Sequence, residues 1–457
     1  MSIGGEMEVR LQLLLLLVLT VAGELVSRVG VLNVKASGTV STIYVRADGT
    51  VDPYYAPIQR RGTSYTIVSD MTSDGDGIVV QKSNIVIDGD EHEIHGKGIG
   101  TGITIDNVDN VTLKNMDLQK FLVGIRLNAS SFNTVSGVTL ANNSGDSSEG
   151  IQLGQNSDNN TVLGNSITYN GFGVIVLESD NNVISGNEVM NNHGTGIMLN
   201  SSFNTEIDAN NIVNDSCGIG VYEFCNGTYI SANNITENTV LGINIVGGTQ
   251  IICHNNFLNN TENAETHSST SIWDDSVEGN YWDSYDGHDS DLDGIGDTAY
   301  TVGEDNKDNY PLTGLFHRIY STISDWYYDG SVHTFTFDII TNSTVEDFHF
   351  FGWRIWMDVS KMAEDQNFGF VRMCISHLSL RYILSPYEAL IDGSEPYYSN
   401  YTLRDNGTHL WMYFSYEYPA HTIIIPEFLQ ALILPPFMIA TLLAFIVYKR
   451  KDIKRIN

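Results

Sequence analysis

Basic residues are scarce in this chain of 457 residues: 23 Lys and Arg stand against 55 Asp and Glu, a formal net charge of −32. Part of that small basic complement, Lys449, Arg450, Lys451, Lys454 and Arg455, sits at the C-terminal end, so the body is more acidic than the total implies. Nucleic acid is thereby excluded as an expected partner, because phosphate binding needs clustered basic side chains. Cysteine is equally thin. Cys217, Cys225, Cys253 and Cys374 are too few for a disulfide scaffold, and none forms a C-x-x-C zinc or redox pair. Charged residues make up only 17% while hydrophobic residues reach 42%, which excludes an acidic disordered chain: enough apolar surface exists to offset chain entropy.

Long apolar runs are confined to the two ends. Leu11 to Ala22 reads LQLLLLLVLTVA after Arg10, the length of a signal-peptide core and short for a bilayer span. Export is expected, with cleavage near Ala22 or near Ala36. From Phe428 to Tyr448 the apolar run is long enough, at roughly 1.5 Å per residue, to cross a hydrocarbon core of about 30 Å. The basic KRKDIKR that follows predicts a C-terminal transmembrane helix with its short tail inside and the rest of the chain at the cell surface.

What fills the middle is a repeat. NNTVLGNSITYNGFGVIVLESD, NNVISGNEVMNNHGTGIMLNSS, FNTEIDANNIVNDSCGIGVYEF and NGTYISANNITENTVLGINIVG align at a period of about 22 residues. Val162, Ile184, Ile207, Ile230 and Ile252 form one apolar column, and Ile167, Val189, Ile212, Ile235 and Phe257 form another. Asn165, Asn187, Asn210, Asn233 and Asn255 form a polar column. Gly124, Gly150, Gly173, Gly196, Gly218 and Gly242 each precede an apolar-x-apolar triplet such as GIQL, GVIV or GIML.

Each unit contains short stretches of period-2 alternation broken by Asn, Asp, Ser and Gly, and no stretch of helical spacing long enough for a helix. The L-x-x-L-x-L frame of leucine-rich repeats is missing. Short strands stacking on their equivalents in the next unit predict an all-β parallel β-helix, a solenoid with coils about 4.8 Å apart. Apolar columns then become interior stripes, and the Asn column becomes a ladder of side-chain amides. The glycine column is expected to supply positive φ at a corner of the coil.

The Asn- and Gly-rich repeat, the segment IDGDEHEIHG before it and the closing GNYWDSYDGHDSDLDGIGDTAY with DNYPL resemble archaeal proteins carrying the NosD-type right-handed β-helix. The resemblance covers roughly Ser37 to Leu312. It implies a right-handed coil and an exported protein. The founding member of that family is a periplasmic accessory protein of nitrous-oxide reductase maturation linked to copper-site assembly, and the wider group overlaps with carbohydrate-binding and sugar-hydrolysing β-helices. Neither copper nor an activity follows from the scaffold alone.

The expected organisation is a signal region over 1–36, an N-terminal β cap over 37–83, coils over 84–260, and a cap with an acidic loop over 261–314. A small antiparallel β-sandwich follows over 315–421, where aromatic runs such as HTFTFDII and HLWMYFSYEY alternate with polar residues. The anchor is expected over 422–448 and the basic tail over 449–457.

For chemistry, DSDLDGIGD is the strongest local motif. Asp289, Asp291 and Asp293 at alternate positions, Gly294 at the turn, the carbonyl of Ile295 and Asp297 resemble the first part of a calcium loop, although Tyr300 stands where that loop ends in Glu. Copper would want soft or imidazole donors, and the candidates are Met190, His193, Met198, Cys217, Cys225, Cys253 and His254. A sugar hydrolase would want two carboxylates about 5 to 9.5 Å apart. Glu178 and Glu223, in equivalent positions two coils apart, are the weak catalytic candidates, and the compact D-D and R-x-K clusters of pectin-cleaving β-helices are missing. Aromatic platforms for glycan binding are few on the coils: Tyr169, Phe172, Tyr222, Phe224 and Tyr229. Sequons at Asn128, Asn159, Asn200, Asn226, Asn234, Asn342, Asn400 and Asn406 fit an exported glycoprotein. The expected role is a non-catalytic surface or carbohydrate-interacting module, with a copper-linked accessory factor and a polysaccharide hydrolase or lyase as alternatives.

Overall fold

A computed structural model describes residues 38–143, 145, 148–303, 305–324, 331–351, 355–376, 390–391, 402–418 and 422–425. The expected signal region, apart from its numbering, and the bulk of the expected anchor and tail lie outside these residues.

The described chain is all β. A regular coil contributes three strands, for example Thr161–Leu163, Ser166–Thr168 and Phe172–Leu177. Each pairs in parallel with its equivalent one coil on: Val162 with Ile184, Ile167 with Val189, Val174 with Ile197. Strands of the first two kinds join an 18-stranded sheet, and strands of the third kind form an 11-stranded sheet running from Glu262–His267 back to Ile43–Val45 and Val51–Asp52. Parallel pairing already begins at Gly38–Val40, which lies against Met71–Ser73. This is the parallel β-helix that the period predicts.

Both apolar columns are interior. Val162, Ile184, Ile207, Ile230 and Ile252 are fully buried, as are Ile167, Val189, Ile212, Ile235 and Phe257. Burying one such side chain is worth about 1.5–3 kcal/mol, and stacking keeps every chain in register because a one-residue slip would turn the stripe outward.

The Asn column is a ladder. Asn165 Nδ2 donates to Asn187 Oδ1 at 2.9 Å, and the same bond repeats from Asn187 to Asn210, Asn210 to Asn233 and Asn233 to Asn255. Each amide also donates to a strand carbonyl, such as Asn187 Nδ2 to Val162 O at 3.0 Å, so both protons of these ladder amides are used. A second ladder, not picked out by the sequence columns, runs Asn143, Asn170, Asn192, Asp215, Asn238 and Asn260.

The glycine column needs correction. Gly124, Gly150, Gly173, Gly196, Gly218 and Gly242 are strand residues without positive φ, and what they supply is close approach. A Cβ on Gly150 would stand 2.6 Å from Gly173 O, and one on Gly218 2.6 Å from Gly242 O. The left-handed corner falls elsewhere, at Gly164, Gly186, Ala209, Ala232 and His254, each immediately before a ladder asparagine.

The described residues between 315 and 425 form two antiparallel sheets. One orders Leu315–Ser324, Val332–Thr341, Phe368–Ser376, His409–Glu417 and Thr402–Asp405; the other orders Ser343–Phe350, Ile355–Lys361, Thr422–Ile425 and Leu390–Ile391. Phe337, Met373 and Phe414 of the first share one core with Ile355, Met357 and Ile423 of the second. The expected transmembrane helix over 422–448 is corrected at its start, because Thr422–Ile425 is a strand whose backbone pairs with Ile355 to Asp358. Among the described residues no helix is long and apolar enough to cross a membrane, and 426–457 lie outside them.

Candidate functional site

The C-terminal module docks on the side of the 18-stranded sheet and the cap. Arg318 Nη1 bonds Asp208 Oδ1 at 2.9 Å, and Asn256 exchanges two bonds with the backbone of Phe316 at 2.8 Å. His254 stacks on the Phe316 ring with centroids 4.6 Å apart. Arg372 Nε bonds Glu278 Oε1 at 2.8 Å, and Arg372 Nη1 bonds Asp293 O at 2.8 Å. None of these solenoid partners lies in the 11-stranded sheet, so its outer face is a long surface clear of these contacts.

That face is written in the middle residue of the apolar-x-apolar triplets. Because side chains alternate along a strand, the two apolar residues point in and the middle one points out. Register puts Arg126, Gln152, Ile175, Met198, Gly220, Asn244 and Glu265 in one row, one per coil. Beside it, Glu149, Phe172, Thr195 and Cys217 align in a second row, and Asn200 pairs with Tyr222 in a third.

The ends of the row are polar and bonded. Arg126 Nε donates to Gln152 Oε1 at 2.6 Å, and Gln152 Nε2 donates to Glu149 Oε1 at 3.3 Å. Burial pushes the Glu149 carboxyl up, with Arg126 opposing, and its Oε2 finds no hydrogen-bond partner. Asn244 Oδ1 is likewise buried without a partner. The centre is apolar. Ile175 is 3% exposed, and the Tyr222 ring folds back over Gly220, where a Cβ would meet it at 2.5 Å. Burial also raises Tyr222, whose hydroxyl stays protonated.

The weak catalytic candidates stand in one column with a single coil between them. Glu178 and Glu223 are both exposed, both in left-handed turns that leave this sheet. Ser201 stands between them: Glu178 N donates to Asn200 O, and Ser201 N donates to Glu223 O. They sit on the rim of the face and not in its rows.

The acidic motif does converge in part. Asp289, Asp291 and Asp293 offer oxygens within 4.8 Å of one another. Asp289 also accepts from Asp293 N at 3.0 Å and Gly294 N at 2.9 Å, and Asp293 Oδ1 accepts from Ile295 N at 2.9 Å, so the loop is a set of carboxylate-capped turns. Burial pushes Asp289 and Asp293 up. Asp297 turns instead to Ser290 N at 2.9 Å, and Ile295 bridges to Leu312.

Copper donors do not gather. His193 Nδ1 faces Asn170 O at 3.2 Å, Met190 and Met198 lie in different sheets, and Cys217 and Cys225 are buried with raised thiol pKa values, Cys217 up to about 12. Cys253 and His254 are adjacent but walled in by Phe316, Tyr229 and Glu278. Among the described residues the close group of three metal-binding side chains is all carboxylate, a hard oxygen set that does not fit copper.

Residues 69–287 match the family model described as periplasmic copper-binding protein (NosD). The solenoid is a NosD-type parallel β-helix. The chain also aligns with a curated protein, 3-dehydroshikimate dehydratase of Acinetobacter baylyi, at 24% identity over 143 residues, 28% of this chain and 29% of that protein. The chain thus spans well under a third of that relative's length. Among solved structures, the periplasmic alginate epimerase AlgG is 12% identical, with 52% of this chain and 82% of that chain covered and a TM-score of 0.35. The Dettilon tailspike protein is 12% identical over 85% of each chain with a TM-score of 0.41, and pectate lyase Pel9A 13% identical over 56% and 84% with 0.33. At these values the likenesses carry no functional argument.

The face rows were hidden from the sequence. Their residues share no identity from coil to coil, and the only available signal was the position of x in GIRL, GIQL, GVIV, GIML, GIGV and GINI.

Proposed function

We propose that this protein is an exported, non-catalytic NosD-type β-helix that binds an extended glycan along the outer face of its 11-stranded sheet. The observation that carries the reading is the row itself: hydrogen-bonding side chains at Gln152 and Asn244 bracket an apolar strip of the half-buried Phe172, Met198 and Tyr222 over the buried Ile175. Pyranose rings present both an apolar C–H face and hydroxyls, and such a strip with polar ends suits them. A glycoside hydrolase would need two carboxylates in the rows at hydrolytic spacing, whereas Glu178 and Glu223 stand on the rim separated by Ser201. Export is favoured by the apolar run Leu11 to Ala22 and by the periplasmic description of the matched family.

The test is retention on immobilised polysaccharides by the intact protein and by Met198→Asp, which sets a charge in the middle of the strip. Retention lost in Met198→Asp supports the reading; equal retention, or release of reducing ends by the parent protein, overturns it.

A second reading concerns the acidic loop. The convergence of Asp289, Asp291 and Asp293 favours a hard divalent cation such as calcium, held as a fastener of the cap and not as a catalyst.

A further inference from the structure

We infer that the ligand is an oligosaccharide segment free of acidic groups, about four units long, lying along the solenoid axis from Gln152 to Asn244; this rests on the glycan reading of the same face. The length follows from the pairing. Glu149–Gly154 and Leu241–Val246 are separated by four successive strand pairings, through Phe172–Leu177, Thr195–Asn200 and Cys217–Tyr222. At about 4.8 Å per coil the polar ends stand roughly 19 Å apart, room for about four sugar units in step with the coils.

The charge class follows from what surrounds the strip. Its centre, Phe172, Ile175, Met198, Gly220 and Tyr222, holds no ionised group, and its ends are amides. Carboxylates flank both ends: Glu149 beside Gln152, and Glu262 and Glu265 one coil past Asn244. His267 Nε2 is already engaged by Glu265 Oε1 at 3.0 Å. Arg126 is the guanidinium at the near end, and it is committed to Gln152. A polyuronate would lay one carboxylate per unit against this arrangement and against a chain of net charge −32, with repulsion from both. A neutral ring loses little on the apolar strip and bonds the amides through its hydroxyls.

The experiment is calorimetric titration of the full chain with cello-, malto- and manno-oligosaccharides of increasing length, and with oligouronates of the same lengths. Each is run at low salt and at roughly 0.5 M salt, where the screening length falls to a few ångströms. The expected result is affinity in a neutral series that rises to about four units and then levels. Matched oligouronates should bind about tenfold or more weakly at low salt, with the gap narrowing as salt rises. Replacing Glu262 by Gln should raise oligouronate affinity and leave neutral affinity within about twofold. Oligouronates binding as tightly as the neutral series overturns the charge assignment while the glycan reading stands. Affinity that levels at two units overturns the length. Failure of every series to bind overturns the glycan reading and this inference together.

Discussion

Asp215 occupies an asparagine's place in the second interior ladder, directly against Asn192. Its Oδ1 accepts from Asn192 Nδ2 at 3.0 Å and from Asn192 N at 2.6 Å, while Oδ2 has no partner. In the neighbouring rungs that second position is an Nδ2 donor, so the structure puts an acceptor where a donor belongs. A protonated carboxyl restores the donor, and burial, against the two Asn192 bonds, pushes Asp215 up from 3.8 to about 8.

The pH consequence has a definite sign. The folded state holds the proton between about pH 4 and about pH 8 and the unfolded state does not, so stability is greatest at the acid end of that window and falls as pH rises through it. Cys217, the nearest other titrating group, stays neutral throughout. Asp215→Asn should remove this slope and stabilise the protein at pH 8 by on the order of 1–3 kcal/mol, the cost of an unsatisfied buried group. Urea melts of both proteins across this range read the difference; parallel curves would contradict the assignment.

Close approach at the glycine column predicts unequal costs for one substitution. Gly150→Ala pushes a Cβ to 2.6 Å from Gly173 O and 2.6 Å from Ile167 Cγ2, and backbone cannot step aside, so about 1–3 kcal/mol should be lost. Gly164→Ala, at φ 62 with nothing within 4 Å, should cost about 1 kcal/mol, as Ala209 and Ala232 already stand in that corner. Denaturant midpoints for the pair decide it, and equal costs would mean that the column serves another purpose.

Docking of the C-terminal module turns on Glu278, which is buried between Arg372 and His254. Burial alone would raise its carboxyl; His254, with Nε2 at 3.3 Å, and Arg372 hold it down to about 2. Burial likewise opposes the charge on His254, but Cys253 and Glu278 bring it up to about 10, so both partners are ionised at neutral pH. Glu278→Gln takes the carboxylate from the buried Arg372 guanidinium, while His254, no longer held charged by Glu278, gives up its proton; the loss should cost about 3–5 kcal/mol. Limited proteolysis should then cut between solenoid and module; an unchanged digest would contradict this lock.

Cation removal tests the acidic loop. Excess chelator should lower the melting temperature of the protein, Asp291→Asn should do the same without chelator, and the two together should add nothing. An unchanged melt in chelator would count against a bound cation.

The stacked architecture was legible because it repeats. Val162 to Ile252 and Asn165 to Asn255 sit at constant spacing, and constant spacing in a solenoid means vertical alignment. Spacing alone could not say why glycine recurs at Gly150 and Gly218, since positive φ and close approach both select the smallest residue. Nor could it find the lock at Glu278 and Arg372, which are 94 residues apart and meet only when the module folds back on the cap. Asp215 was invisible as a ladder member because it breaks the identity of its column. The candidate face was hidden for a related reason: a binding row varies from coil to coil where a core row is repeated.

Hydrogen–deuterium exchange of the full chain, with and without a saturating neutral oligosaccharide, tests the central claim most directly. The account predicts slowed exchange in Phe172–Leu177, Thr195–Asn200 and Cys217–Tyr222, with the strands that carry the C-terminal module unchanged. Protection confined to the module or the acidic loop, with these three strands unaffected, would contradict it.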